Sequence, residues 1–209
     1  MSTIRLTYFD APGRAEPLRI LLTIAGLPFE DRRLSYPEFG AMKAGGELPL
    51  GSVPMLEVDG VRYVQTAAML RWVARAAAPA FYPSDALAVF MVDSALDTFN
   101  DTLTNAMMPS LFERDMEKKL AMRAALLEGP LKRAFDYVES LVERSGGPYV
   151  AGADMSIADL VIARQLQQIA TGGLDGIPAD TIDGWPRLKA LMEAYGADER
   201  IRAYYASRG

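Results

Sequence analysis

Thr3-Ile4-Arg5-Leu6-Thr7-Tyr8-Phe9 alternates apolar and polar residues and is rich in β-formers, so it reads as a half-buried strand. Pro12 and Gly13 mark a turn behind it. Leu18, Leu21, Leu22 and Ala25 then recur at i, i+3, i+4 and i+7, one face of a helix that Gly26 and Pro28 end. Residues 28–34 read as a second strand. A strand, a helix and a strand at this spacing make a β-α-β unit of the size that joins a parallel pair.

Downstream, residues 35–52 show little periodicity and carry Pro37, Gly40, Gly45, Gly46, Pro49 and Gly51. They read as a long irregular segment with a short helix around Phe39–Lys43, and long irregular segments inside compact domains are often functional. Residues 53–59 and 61–64 flank Asp59-Gly60, the pair that a type I′ hairpin turn demands. Gln65-Thr66 opens a helix to about Ala77. The expected first domain, residues 1–78, is therefore an α/β thioredoxin-like unit of order β-α-β-loop-β-β-α, without a Cys-x-x-Cys. Residues 79–84, with Pro79 and Pro83, read as a linker. Residues 85–209 read as an all-helical domain, with helices over 85–112, 117–144, 156–170 and 185–195 and a shorter one near 198–206.

Two missing residue types bound the chemistry. The chain of 209 residues contains no cysteine and no histidine. Disulfides, thiolate metal sites, cysteine nucleophiles, Ser-His-Asp triads and histidine-ligated zinc are excluded. Catalysis must use Tyr, Lys, Arg, carboxylates, hydroxyls, backbone dipoles or a group brought by the substrate. The net charge of −5 argues against nucleic acid and anionic membranes as partners. Arg5 and Asp10 interrupt the N-terminus where a signal peptide would be apolar, so a cytoplasmic location is expected.

Four segments together carry a resemblance: Leu6-Thr7-Tyr8-Phe9, Gly13-Arg14-Ala15-Glu16-Pro17-Leu18-Arg19, Gly51-Ser52-Val53-Pro54-Met55-Leu56-Glu57 and Gln65-Thr66-Ala67-Ala68. In this order they resemble the cytosolic glutathione S-transferases, most closely the sigma class that includes the haematopoietic prostaglandin D synthases. Tyr149-Val150-Ala151-Gly152, Ser156-Ile157-Ala158-Asp159 and Trp185-Pro186-Arg187-Leu188 extend the resemblance through the helical half.

On its own, Tyr8 reads equally as a strand tyrosine filling a pleat. The resemblance implies that its hydroxyl donates to the sulfur of glutathione, whose thiol arrives as the nucleophile this chain lacks. It implies that Arg14 helps hold the thiolate. At a helix start an arginine opposes the macrodipole, so helix stability does not account for it. The resemblance further implies a cis Val53-Pro54 peptide bond and strand-like pairing of the Val53 main chain with glutathione. It places the γ-glutamyl carboxylate at Gln65 and Thr66, with a threonine where the family usually has serine. A helix N-terminus suits an anion, although a simple cap fits the same residues.

Phe39, Lys43 and Ser52 would meet the glycine end, where the sigma pattern has a tryptophan instead of Phe39 and commonly Gln or Lys instead of Ser52. Asp101 would take the γ-glutamyl ammonium of glutathione bound to a second copy, so a homodimer is implied. Asp93, Asp97 and Asp101 share one helix face, which also reads as a solvated acidic stripe. Some sigma enzymes bind a divalent cation there, but Asn100 departs from that pattern. Phe9, Met107, Met108 and Phe112 would line the pocket for an apolar electrophile, or belong to the core. Ser156-x-x-Asp159 reads as a capping box with a folding role. No metal or prosthetic group is implied, with glutathione as co-substrate. The rival expectations are a non-catalytic structural or ligand-binding protein on the same fold and a glutathione-dependent prostaglandin isomerase.

Overall fold

A computed structural model describes residues 2–208, apart from the side chain of Leu103. The chain divides into two compact units, Met1–Pro79 with Ala203–Gly209, and Ala80–Arg202.

The first unit is built on a four-stranded sheet of β1 (Ile4–Phe9), β2 (Glu30–Leu34), β3 (Met55–Val58) and β4 (Val61–Tyr63). The strand order is β2-β1-β3-β4. β1 runs parallel to β2, with Tyr8 opposite Arg33, and antiparallel to β3, with Leu6 opposite Leu56. The helix between the first two strands, α1 (Glu16–Ile24), buries Leu18, Ile20, Leu21 and Leu22 completely. It packs with α3 (Thr66–Ala77), whose inward face is Met69, Leu70, Val73 and Ala74. Each fully buried leucine contributes about 1.5–3 kcal/mol relative to exposure. Asp59 and Gly60 both take positive φ, 50° and 82°, so the expected I′ turn joins β3 to β4.

The short helix expected around Phe39–Lys43 is longer than that, α2 (Tyr36–Ala44), and opens the stretch read as irregular. Ser35 and Glu38 form a reciprocal capping box: Ser35 N–H donates to Glu38 Oε2 at 2.7 Å and Glu38 N–H donates to Ser35 Oγ at 3.4 Å. Pro37 lies in the first turn, where its missing N–H costs nothing. Met42 from this helix joins Leu34, Leu48 and Met55 in a local core, with Phe39, Val53 and Val64 packed on it.

The second unit is helical: α4 (Ala86–Asp101), α5 (Met108–Phe112), α6 (Met116–Glu128), α7 (Pro130–Ser145), α8 (Ile157–Ala170) and α9 (Pro186–Ala197). α10 (Glu199–Ala206) carries the chain to residues that group with the first unit. The two long helices expected over 85–112 and 117–144 are each interrupted. The first widens into a π-helical turn at Thr102–Met107, just ahead of Pro109, which has no N–H to continue the ladder. The second breaks at Gly129-Pro130, where Gly129 has φ −123° and ψ −107°. α8 is apolar on most of its surface and is buried against α4 and α9. Its start has the predicted folding role, since buried Asp159 accepts from Ser156 N–H at 2.7 Å, Ser156 Oγ at 2.6 Å and Val150 N–H at 3.0 Å. Burial pushes the Asp159 carboxyl up to about 6, against those three donors. No described helix is long and apolar enough to cross a membrane.

Candidate functional site

Tyr8 stands near the C-terminal end of β1 and is half-buried. The chain then turns through residues 10–12 into a single 3-10 turn, Gly13–Ala15. That turn brings the backbone N–H of Arg14 to Tyr8 Oη, donating at 3.2 Å. The hydroxyl oxygen is thereby engaged as an acceptor, which leaves its own proton for another acceptor. Gly13 has φ +44°, and a Cβ built there would lie 2.5 Å from Tyr8 Oη. Only glycine allows the ring to sit this close to the turn. The Arg14 side chain is half-buried, and its Nε is buried without a hydrogen-bond partner among the described residues.

The Val53–Pro54 bond is cis, in accord with the resemblance, and delivers the chain into β3. At the start of α3, Gln65 holds φ +77° without being glycine. Such a conformation costs of the order of 1–3 kcal/mol and is concentrated at ligand sites. Thr66, 4% exposed, begins the helix, and its Oγ1 is buried without a partner among the described residues. A hydroxyl left unpaired beside free helix N–H groups suits an anion.

The other predicted residues of this unit are distributed more widely. Phe39 is half-buried, packs on the local core and lies 5.1 Å, ring to ring, from Phe9. Phe9 in turn contacts the rings of Tyr8 at 5.4 Å and Tyr36 at 5.0 Å. Lys43 is exposed, with its side chain running past Gly51 beside the exposed Ser52. In the second unit Asp101 is exposed at the end of α4. Met107 is buried, and its sulfur accepts from Gln165 Nε2 at 3.3 Å. Met108 is half-buried and Phe112 is exposed on α5. Asp93, on the same face of α4, accepts from Tyr82 Oη at 2.9 Å.

Arg19 was not anticipated. It is fully buried in α1, and its guanidinium donates to the main-chain oxygens of Phe9, Ala11 and Pro12 at 3.3, 2.8 and 3.2 Å. It also forks onto Asp31, with Nε 3.0 and 3.1 Å from the two carboxylate oxygens, and reaches Glu16 at 3.3 Å. Burial opposes ionisation of Asp31, yet hydrogen bonds and charge from Arg19 and Arg33 hold its pKa below the ordinary value. The sequence signal was a Glu-Arg pair at i, i+3 inside an otherwise apolar helix.

Comparison with known proteins gives the family. Residues 4–75 match the glutathione S-transferase N-terminal domain, and residues 100–208 match the glutathione S-transferase C-terminal domain. Glutathione S-transferase 3 of Caenorhabditis elegans is 30% identical over 207 residues, covering 98% of this chain and 96% of that protein. Among solved structures, prostaglandin synthase D of Nilaparvata lugens aligns with TM-score 0.83 and 28% identity, over 99% of this chain and 98% of that one. The monomeric glutathione S-transferase Na-GST-3 of Necator americanus aligns with TM-score 0.83 and 29% identity, over the same shares. The chain belongs to the glutathione S-transferase family. It is a glutathione transferase, an enzyme that directs the thiol of glutathione at electrophilic substrates.

Proposed function

We propose that Tyr8 is the group that turns bound glutathione into a nucleophile. The carrying observation is the hydrogen bond from Arg14 N–H to Tyr8 Oη, which orients the phenol and leaves its proton to donate. A free thiol has a pKa of ~8.5 and is mostly protonated at neutral pH. A preorganised donor favours the thiolate and lowers that value. Arg14, with its unpartnered Nε, adds positive charge beside the same sulfur. The thiol proton leaves to solvent, and the sulfur lone pair forms the bond to an electrophilic carbon. A leaving group departs with its bonding pair, or an adduct takes up a proton.

In this reading the Val53 main chain ahead of cis Pro54 pairs with the cysteinyl backbone of glutathione. Thr66 Oγ1, Gln65 and the first N–H groups of α3 take the γ-glutamyl carboxylate, while Phe39, Lys43 and Ser52 meet the glycine end. Asp101 serves glutathione in a second copy of the chain, which makes the enzyme a homodimer. Phe9, Met107, Met108 and Phe112 receive an apolar electrophile. The protein is a cytoplasmic, sigma-like enzyme of detoxification that needs no metal or prosthetic group.

The test is capture on immobilised glutathione followed by conjugation of an aryl halide. Capture with turnover supports the reading. Capture without turnover favours a ligand-binding role, and no capture overturns it. The similarity to a prostaglandin synthase D supports a second reading, glutathione-dependent isomerisation of a prostaglandin endoperoxide. Turnover of that substrate above aryl-halide conjugation would favour it.

A further inference from the structure

Beneath the turn that carries Tyr8's partner lies an ion network, buried at Arg19 and Glu16, whose far end is the exposed Arg208 in the C-terminal segment of the chain. Arg19 holds the oxygens of Phe9, Ala11 and Pro12, which form this turn. Arg33 pins the same turn from the other side, with Nη1 2.7 Å from Asp10 Oδ1, and shares Asp31 with Arg19. Glu16, the second carboxylate partner of Arg19, is itself buried and accepts from Tyr204 Oη at 3.0 Å. Arg208 completes the network with Nη2 3.0 Å from Asp31 Oδ2, and its Nη1 donates to Tyr204 Oη. Tyr204 and Arg208 belong to the same compact unit as Tyr8.

The arrangement is more specific than charge neutralisation requires. A buried arginine could be satisfied by its two carboxylates alone. Here one guanidinium spends its Nη groups on three main-chain oxygens, that of Phe9 at the end of β1 and those of Ala11 and Pro12 in the turn, and that turn ends at Gly13 and Arg14. The position of Arg14 N–H, and hence the orientation of the Tyr8 hydroxyl, follows from where those oxygens are held. The carboxylates Glu16 and Asp31 fix the guanidinium, and Tyr204 and Arg208 fix the carboxylates.

We infer that Arg19 is a positioning residue for Tyr8, and that Tyr204 and Arg208 extend this positioning to the C-terminal segment. The chain of contact runs from Tyr204 through Glu16 to Arg19, then through the Phe9–Pro12 turn to Arg14 N–H and Tyr8 Oη. Loosening it lets the hydroxyl drift from the sulfur, so the bound thiol becomes less acidic while the glutathione contacts elsewhere persist. The inference rests on Tyr8 acting on the glutathione sulfur as proposed above.

The experiment follows the ultraviolet absorbance of the thiolate in the glutathione complex across pH, for wild type, Tyr8→Phe, Arg19→Lys, Tyr204→Phe and Arg208→Leu. Arg19→Lys keeps the charge but loses the fork, whereas the other two network variants leave Arg19 intact and keep a foldable core. The expected result is an apparent thiol pKa raised by about half to one unit in Arg19→Lys, and in the same direction by less in Tyr204→Phe and Arg208→Leu. KM for glutathione stays within about twofold, and the lost turnover at neutral pH returns in part at higher pH. A purely structural role lowers the melting temperature and leaves the thiol pKa of folded protein where it was. That result, alongside a raised pKa in Tyr8→Phe, overturns the inference alone. If Arg19→Lys does not fold, the Tyr204 and Arg208 variants decide it by the same reading. Wild type without glutathione-dependent thiolate absorbance, or an unmoved pKa in Tyr8→Phe, overturns the assignment of Tyr8 and this inference with it.

Discussion

The backbone N–H of Arg14 donates to the hydroxyl oxygen of Tyr8 across 3.2 Å. This contact joins the end of β1 to the turn that follows it, and it fixes a phenol whose proton meets no acceptor among the described residues. It depends on Gly13, whose missing side chain is what lets the ring lie against the turn.

Gly13→Ala is therefore expected to disturb chemistry more than binding. Its Cβ would fall 2.5 Å from Tyr8 Oη at a φ of +44°, so the ring or the turn must shift. Strain of about 1 kcal/mol in stability and a fall of roughly tenfold in kcat at neutral pH are predicted, with glutathione affinity changed by no more than a few-fold. Calorimetric binding and steady-state rates check this. A variant with full kcat would contradict the packing argument.

Thr66→Val removes a hydroxyl that has no partner among the described residues while keeping the branched shape. Stability should change by less than about 1 kcal/mol, or improve, because no hydrogen bond to the described residues is lost. Glutathione affinity should fall about tenfold, since a hydroxyl bonded to a carboxylate is worth roughly 1.5–3 kcal/mol. Urea unfolding and calorimetric titration of the same preparation separate the two effects. Equal affinity in variant and wild type would remove Thr66 from the carboxylate site.

Much of this architecture is readable in the chain. The alternation at Thr3–Phe9, the period of α1, the Asp59-Gly60 turn and the capping box at Ser156 all reflect local geometry that a residue type satisfies by itself. α2 is also written locally: the short helix expected around Phe39–Lys43 is present, and Ser35-x-x-Glu38 with Pro37 in the first turn starts it earlier, at Tyr36. The break at Gly129-Pro130 is equally local, a glycine followed by a residue without an N–H, inside the stretch read as one helix over 117–144. The ion network was not readable. Tyr204 and Glu16 are 188 positions apart, and Arg208 and Asp31 are 177 apart, so only the folded chain brings them together. Nothing local to α1 fixes the burial of Arg19; its partners outside that helix are the main-chain oxygens of Phe9, Ala11 and Pro12 and the carboxylate of Asp31 on β2.

Asp101→Asn tests whether the acidic end of α4 serves glutathione in a second copy. Asp101 is exposed, so the fold should survive unchanged. Loss of a charge-assisted hydrogen bond of about 1.5–3 kcal/mol predicts a rise of roughly tenfold or more in the dissociation constant. Wild type should sediment as a dimer. A monomer, or an unchanged constant, would contradict the assignment.

The buried Asp159 carboxyl gives the fold a pH signature. Its folded pKa of about 6 lies above the ordinary 3.8, so the native state binds a proton more tightly than the unfolded chain. Its contribution is fully present below the unfolded value and is lost as pH rises through 6. The shift corresponds to about 3 kcal/mol. Unfolding free energies of wild type and Asp159→Asn, compared from pH 4 to pH 7, should diverge by roughly that amount, with wild type losing ground as pH rises. A pH-independent difference would contradict it.

The most direct test is the thiol pKa of glutathione bound to Tyr8→Phe. The substitution removes one donor and almost no volume, so the variant should fold and bind glutathione nearly as wild type does. Losing a hydrogen bond to a charged acceptor costs roughly 1.5–3 kcal/mol, and one pKa unit is about 1.36 kcal/mol. The account predicts a bound thiol less acidic by about one to two units, a conjugation rate about tenfold lower at neutral pH, and partial recovery as pH is raised. Ultraviolet titration of the thiolate reads the shift directly. An equal thiolate pKa in wild type and Tyr8→Phe, with equal rates, would take Tyr8 out of the mechanism and leave Arg14 and the backbone N–H groups to stabilise the sulfur.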